Sequence, residues 1–406
     1  MKNVTLEVNK VYSEQNPSTY FRSAAQISSF VENNKNFLLQ LKIPPRAFLN
    51  STLIDFGCGS GQRGLGYDHL GANCTLVEYD KQSYKNASAL FEKHAKNKFE
   101  IINADLFDFK FPKESFDFVL SMGVAHHTKD PIRNVELCCQ ALKPGGMFIF
   151  GIGNKAGFFQ RNLQRLILYS ISENTEDIIK YSKILFKEHL QRCVDYGGRS
   201  TDEVIFDTYL NPKIYAFGTN EIIDIFSKNN LNLYSSYQDL KNVQGFLEPA
   251  TNQFQLMNNS NGNSKSSLGD NSIFFSDFEE ISLSNNELNN PDLLKNLSSL
   301  MPHFNEITDQ INDISFDQFD LNVDKFLKEI NYYKEKILQI KKIDVINKKH
   351  NEIFIDEVVL VLKALNKGNN KIDKFYEVQK TLKNNKRLFQ LVNGMGMNYY
   401  CGYKNE

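Results

Sequence analysis

The sequence predicts an α/β fold built on a largely parallel sheet, and three observations predict it. Short β-rich runs alternate with helical stretches from Thr52 to Gly153, turn residues separate them, and the first run leads straight into a glycine-rich turn. That alternation is the pattern of parallel strands joined by crossover helices. Strands are expected at Thr52 to Phe56, Cys74 to Tyr79, Phe99 to Asn103, Phe116 to Met122 and Gly146 to Gly153. Between them, Lys81 to Ala95 carries Tyr84, Leu90 and Phe91 on one helical face, and Pro131 to Leu142 carries Ile132, Val135 and Leu142. Lys143-Pro144-Gly145-Gly146 reads as the turn that stops the second of these helices.

The flanks extend this core. Tyr20 to Leu41 is amphipathic and closed by Pro44 and Pro45, so residues 1–50 read as a helical arm and 51–154 as the core. Lys155 to Leu210 is helical and aromatic, and Asn220 to Lys228 leads into a sixth strand, Leu231 to Tyr237, which makes 155–245 a cap and the end of the core. Asn and Ser then dominate from about Thr251 to Ser299, and 246–310 reads as a linker. Phe316, Phe319, Val323, Phe326, Ile330, Tyr333, Ile337 and Ile340 recur in three-four steps after a capping-box signal at Ser315 and Gln318. This is a long amphipathic helix within a helical insertion or appended domain, 311–390. Its seam packs on its own chain or, as the second use, makes a homodimer through the 316–340 helix. Two shorter helices, Ile355 to Leu365 and Lys371 to Lys383, follow, and 391–406 holds a last strand at Met397 to Tyr403 that can return to the sheet.

Composition excludes several classes. With 41% hydrophobic and 23% charged residues in 406, the chain is globular rather than disordered. The formal net charge of -1 lacks the basic footprint of a nucleic-acid binder. Six cysteines without a CxxC pair argue against structural zinc and a disulfide framework, so no metal is expected. No apolar run reaches the roughly 18 residues of a membrane span and no signal-peptide order is seen, so a cytoplasmic location is expected.

The strongest chemical signal is Leu53-Ile54-Asp55-Phe56-Gly57-Cys58-Gly59-Ser60-Gly61, a buried strand entering a glycine turn at a helix N-terminus. Glycines there let the backbone approach a ligand, and Asp55 sets a carboxylate beside that space. Glu78, ending the second strand, can accept both hydroxyl hydrogens of a ribose. Gly59-Ser60-Gly61-Gln62-Arg63-Gly64 also fits the dinucleotide pattern GxGxxG, but that match begins two residues after the strand, where the dinucleotide fingerprint has its first glycine directly after it. The frame disfavours a dinucleotide.

With Asn103-Ala104-Asp105-Leu106, the fourth strand running through Ser121, Gly123, His126 and His127 to Asp130-Pro131, and Lys143-Pro144-Gly145-Gly146, the sequence resembles the class I methyltransferases. The resemblance is close from Thr52 to Gly153 and looser from Tyr20 to Tyr237. It implies a Rossmann-like parallel sheet with a C-terminal antiparallel strand, an additional mainly helical region, and S-adenosylmethionine as cofactor. By the same resemblance Asp55 lies at the amino-acid part of the cofactor, Glu78 at its ribose, Asp105 by its adenine amine, and the segment with Ser121 and Gly123 under its methionine moiety, with Gly57, Cys58, Gly59, Gly61, Tyr79 and Leu106 as further cofactor contacts. Glu at position 78, where Asp is commoner, keeps the carboxylate.

Methyl transfer from a sulfonium needs alignment and, for a hydroxyl or protonated amine acceptor, a base. His126 and His127 are the candidates for that base, or one of them holds the loop. Tyr20 and Arg22 on the arm and Asp207, Tyr209 and Tyr215 in the cap are candidate acceptor contacts, or surface and packing residues. The function expected is methyl transfer to a small organic acceptor: a sugar, a quinone-like ring or a natural product. The alternatives are a cofactor-binding scaffold without catalysis and a macromolecule modifier docking through its C-terminal helices.

Overall fold

The computed structural model describes residues 24–197, 200–237, 291–312, 314, 322–340, 345–389 and 397–406. Tyr20 and Arg22, most of the Asn/Ser-rich stretch, and Ser315 with Phe316, Gln318 and Phe319 lie outside the described residues.

Among these residues seven strands form one sheet: β1 Thr52–Phe56, β2 Asn73–Glu78, β3 Phe99–Asn103, β4 Phe116–Met122, β5 Leu142–Gly153, β6 Leu231–Tyr237 and β7 Met397–Lys404. Their order is β3-β2-β1-β4-β5-β7-β6. The first five pair in parallel, and β7 enters antiparallel between β5 and β6. The chain therefore leaves the sheet after β6 and returns to fill the position inside it. Lys404, at the end of β7, is buried and donates to Glu114 Oε1 (2.9 Å) and to the carbonyl of Leu142 (2.8 Å), which fixes that return.

β5 begins four residues earlier than the sequence suggests. Phe116 pairs with Leu142 and Phe118 with Met147, so Lys143 to Gly146 bulges from the strand, with Gly145 at φ +77°. The Lys-Pro-Gly-Gly turn is thus an interruption inside β5, not only a stop after the helix.

Side chains alternate across each strand, so the sheet has two apolar faces. Leu53, Leu76, Leu120 and Ile149 pack under α1 Ala24–Gln40, α2 Gln62–Asp68 and α3 Lys81–His94. Ile54, Phe56, Val119, Phe148 and Phe150 face α4 Pro131–Ala141 and the cap, which is α5 Lys155–Ile171, α6 Thr175–Leu185, α7 Lys187–Gly197, α8 Thr201–Ile205 and a π turn at Phe206–Leu210. After α9 Thr219–Lys228 and β6 come α10 Pro291–Asp309, α11 Val323–Gln339, α12 Val345–Lys367 and α13 Lys371–Leu382.

α10 corrects the reading of 246–310 as linker throughout. Leu300, Phe304, Ile307 and Ile311 follow helical spacing and are buried, a stripe that the polar composition around it conceals. The described part of the 316–340 seam is also used within the chain. Phe326, Ile330, Tyr333 and Ile337 are buried in the same apolar cluster as α12 and the cap, so that face is not left for a second copy. α11 starts at Val323, with the Asn322 side chain accepting from Lys325 N (2.9 Å) as its cap.

Candidate functional site

β1, β2, β3 and β4 are parallel, so the loops that follow them open on one edge of the sheet, the usual place for a ligand in such a fold. There they surround a cavity of about 410 Å³. Its wall is made by Gly57 to Ser60 after β1, Glu78 to Asp80 at the end of β2, Ala104 to Phe107 after β3 and Met122 to Val124 with His127 to Lys129 after β4; α1 adds Phe30 and α2 adds Gln62 and Arg63.

The glycine loop is left-handed at Gly57 (φ +74°), Gly59 (+57°) and Gly61 (+76°). Two of these serve the protein's own packing. A Cβ at Gly57 would lie 2.6 Å from a methyl of Val124, and one at Gly61 would lie 3.0 Å from Ala87. Gly59 lines the cavity itself, and its N–H donates to Glu78 Oε2 (2.7 Å). The other oxygen of Glu78 accepts from Asp80 N (2.8 Å), so one carboxylate ties the glycine loop to the turn after β2. Burial raises the Glu78 carboxyl above its ordinary range, against the pull of the Asp80 and Gly59 N–H groups.

Across the cavity, Asp105 accepts from Phe107 N (2.9 Å) and lies 3.5 Å from Lys129 Nζ, which also sits 4.7 Å from the centroid of the Phe107 ring. Two carboxylates separated by an apolar strip of Val77 and Leu106 suit a nucleoside, whose hydroxyl and amino groups need acceptors and whose base needs a flat apolar wall.

Asp55, Gly61 and Ser121 are not on the wall. Asp55 points to the same face as Leu53, beneath α2, and is buried. Burial raises its carboxyl to about 7, with Arg63 lowering it and Glu78 raising it. Ser121 is buried and donates to Asn134 Oδ1 (3.4 Å). The Asp55 shift has a testable sign. The folded chain holds a proton on Asp55 that the unfolded chain releases between about pH 4 and 7, so this group costs stability as pH rises through that window. Asp55→Asn is expected to gain thermal stability relative to the parent as pH goes from 4 to 8, by a few kcal/mol at the upper end, order of magnitude. A difference that does not vary with pH would contradict this.

Val124 leads into a 3₁₀ turn, Ala125–His127, that carries both histidines, and they face different ways. His127 is on the cavity wall. Its Nδ1 lies 2.7 Å from the carbonyl of Lys213, and because a carbonyl only accepts, Nδ1 carries the proton. Nε2 lies 3.7 Å from Asp207 Oδ1. His126 is buried off the wall, 6.0 Å between centroids from the Phe158 ring, with Nδ1 lacking a hydrogen-bond partner. Burial, then the neighbouring His127, pushes its pKa well below the usual histidine range and keeps it neutral. The two histidines thus separate: His127 lines the cavity, and His126 is packed away from it.

The acceptor candidates separate as well. Asp207 stands beside His127. Tyr209 is fully buried in the cap, off the cavity wall, and donates to Gln164 Oε1 (3.0 Å). Tyr215 turns its hydroxyl to Glu221 Oε1 (3.3 Å), while its backbone N–H holds the His126 carbonyl (2.9 Å). Lys129, Phe107 and Phe30 were not read as site residues, and nothing local in the sequence marks them. Asp80 was legible: it caps α3 by accepting from Ser83 N (2.7 Å), as an Asp before a helical run does.

Residues 54–150 match the family described as methyltransferase domain. The chain is 28% identical over 174 residues to a ubiquinone biosynthesis O-methyltransferase of Aromatoleum aromaticum, covering 41% of this chain and 72% of the relative. A protein of the same name from Thiobacillus denitrificans is 28% identical over 169 residues, covering 40% and 71%. A solved S-adenosylmethionine dependent methyltransferase from Mesorhizobium loti overlays 31% of this chain and 56% of its own at 23% identity and a TM-score of 0.27, a likeness too partial to argue from.

Proposed function

We propose that the chain is a class I S-adenosylmethionine-dependent methyltransferase and that it methylates a hydroxyl oxygen on a small, flat organic acceptor. When bound, S-adenosylmethionine supplies an electrophilic methyl on a sulfonium, whose departure needs no acid. The chain's own residues then have four tasks. Glu78, preset by two backbone N–H groups, accepts from the ribose hydroxyls, and Asp105 accepts from the base. Gly59 and Cys58 bring backbone to the cofactor. His127 takes the acceptor's proton on Nε2, and Asp207 stabilises the imidazolium that forms.

The observation that carries this reading is His127: a ring on the cavity wall, fixed by the Lys213 carbonyl in the form whose Nε2 can receive a proton. A base of this kind serves a hydroxyl. The relatives' names specify O-methylation in ubiquinone biosynthesis, which favours a flat ring over a sugar.

The test is incubation of the purified protein with S-adenosylmethionine and matched catechol, primary amine and sugar acceptors, followed by mass spectrometry. Addition of one methyl to the catechol oxygen is expected. Methylation of the amine alone would overturn the assignment of oxygen, and absence of cofactor binding would favour a scaffold.

A further inference from the structure

Among the described residues, the chain that follows β6 makes polar contacts at the catalytic edge through Asp309, Asn312 and Ile314, and those of Asn312 and Ile314 reach, directly or through Arg165, the segment that holds His127. Asn312 pairs with the backbone of Ala216 in both directions: Ala216 N donates to Oδ1 (2.9 Å) and Nδ2 donates to the Ala216 carbonyl (2.9 Å). Asp309 lies 2.7 Å from the buried Lys155 Nζ, which also meets Glu221 (3.0 Å). The Ile314 carbonyl accepts from Arg165 Nη2 (2.7 Å), while Nη1 of the same fully buried arginine donates to the carbonyls of Thr208 (3.1 Å) and Asn211 (2.9 Å).

These contacts converge on residues 207–217. Asn211 Oδ1 accepts from Lys213 N (3.2 Å), and the Lys213 carbonyl is the acceptor for His127 Nδ1. Asp207 sits on the π turn whose carbonyls Arg165 holds. Tyr215 N fixes the His126 carbonyl, and Phe217 N bonds the Gly153 carbonyl at the end of β5 (2.9 Å). A side-chain amide that satisfies both the N–H and the C=O of one residue takes the place of a neighbouring strand, and it locks the peptide against rotation or slippage.

We infer that Asn312 is a positioning residue for methyl transfer, acting through the 213–217 backbone to hold His127 in its Nδ1–H form with the ring on the cavity wall. The inserted helices thereby complete the catalytic edge rather than merely covering the sheet. This rests on the assignment of His127 as the base.

The first readout is the imidazole itself, which needs no acceptor. Two-bond ¹H–¹⁵N correlations on histidine-labelled full-length protein, with the His127 signal assigned from His127→Asn, are expected to show the Nδ1–H tautomer in the parent chain. Asn312→Ala is expected to convert it to the Nε2–H form or to an exchanging mixture and to shift its titration midpoint, with S-adenosylmethionine affinity unchanged and kcat reduced tenfold or more. Asn312→Asp, nearly isosteric, keeps the acceptor for Ala216 N but sets an oxygen against the Ala216 carbonyl, and it should give the same spectral change if the alanine variant does not fold. His127 signals identical to the parent in whichever of the two variants folds, or an Nε2–H tautomer in the parent itself, would overturn the inference. Loss of the O-methyl reading would appear instead as an active His127→Asn enzyme, and the tautomer result would be unaffected.

Discussion

Replacing His127 with alanine is expected to lower kcat on a hydroxyl acceptor by about 10²- to 10⁴-fold while the dissociation constant for S-adenosylmethionine moves by less than about threefold. His127 forms one part of a wall otherwise built by four loops, so its removal leaves the carboxylates and the glycine loop that face the cofactor in place. What disappears is the group proposed to receive the proton. In the parent enzyme the rate should fall as pH drops through protonation of Nε2, since only the unprotonated ring can act, and that acidic limb should vanish in the variant. Asp207→Asn should cost less than the histidine change, because its carboxylate is 3.7 Å from Nε2 and partly exposed, where water competes for the same charge. His126→Ala should cost stability and leave the acidic limb, as its ring is buried and already neutral. Wild-type kcat in His127→Ala across the pH range would remove the base from the mechanism.

What the sequence made legible was local. Leu53-Ile54-Asp55-Phe56 followed by three glycines announces a buried strand and a tight turn, because each residue type is needed where it stands: apolar on both faces of a covered sheet, glycine where φ is positive. The bounds of β1, β3 and β4, the carboxylate of Glu78 and the Ala104 to Leu106 loop follow from the same short-range rules. The order β5-β7-β6 does not, because nothing in Met397 to Lys404 says which strands it will separate; that is decided by pairings with β5 and β6 far away in the chain. Nor does sequence distinguish His126 from His127. Adjacent residues in a 3₁₀ turn project about 120° apart, and which projection meets the cavity is set by Phe158 on one side and Lys213 on the other. Nothing in the sequence marks Arg165, yet three carbonyls draw it fully inside. Asn312 belonged to a stretch with no motif at all, and its role exists only because Ala216 passes beside it.

The second large effect is at Glu78. Glu78→Ala is expected to raise the dissociation constant for S-adenosylmethionine by about 100-fold in isothermal titration, at the upper end of the roughly 1–3 kcal/mol that one lost ligand contact costs. Its two oxygens already hold the N–H groups of Gly59 (2.7 Å) and Asp80 (2.8 Å), so the alanine variant frees two partly buried donors and releases the glycine loop from the turn after β2 together with the acceptor for the ribose. Two substitutions separate these contributions. Glu78→Gln keeps one acceptor oxygen and turns an amide N–H toward the other donor, so it should weaken binding by an intermediate factor. Glu78→Asp keeps the charge on a stem one methylene shorter, which cannot span Gly59 and Asp80 as the glutamate does; it should bind better than alanine and worse than glutamine if the loop tie dominates, and better than both if charge toward the ribose dominates. A dissociation constant unchanged in Glu78→Ala would mean that neither the tie nor the ribose contact contributes, and the cofactor would then have to be held by the opposite rim, around Asp105 and Lys129.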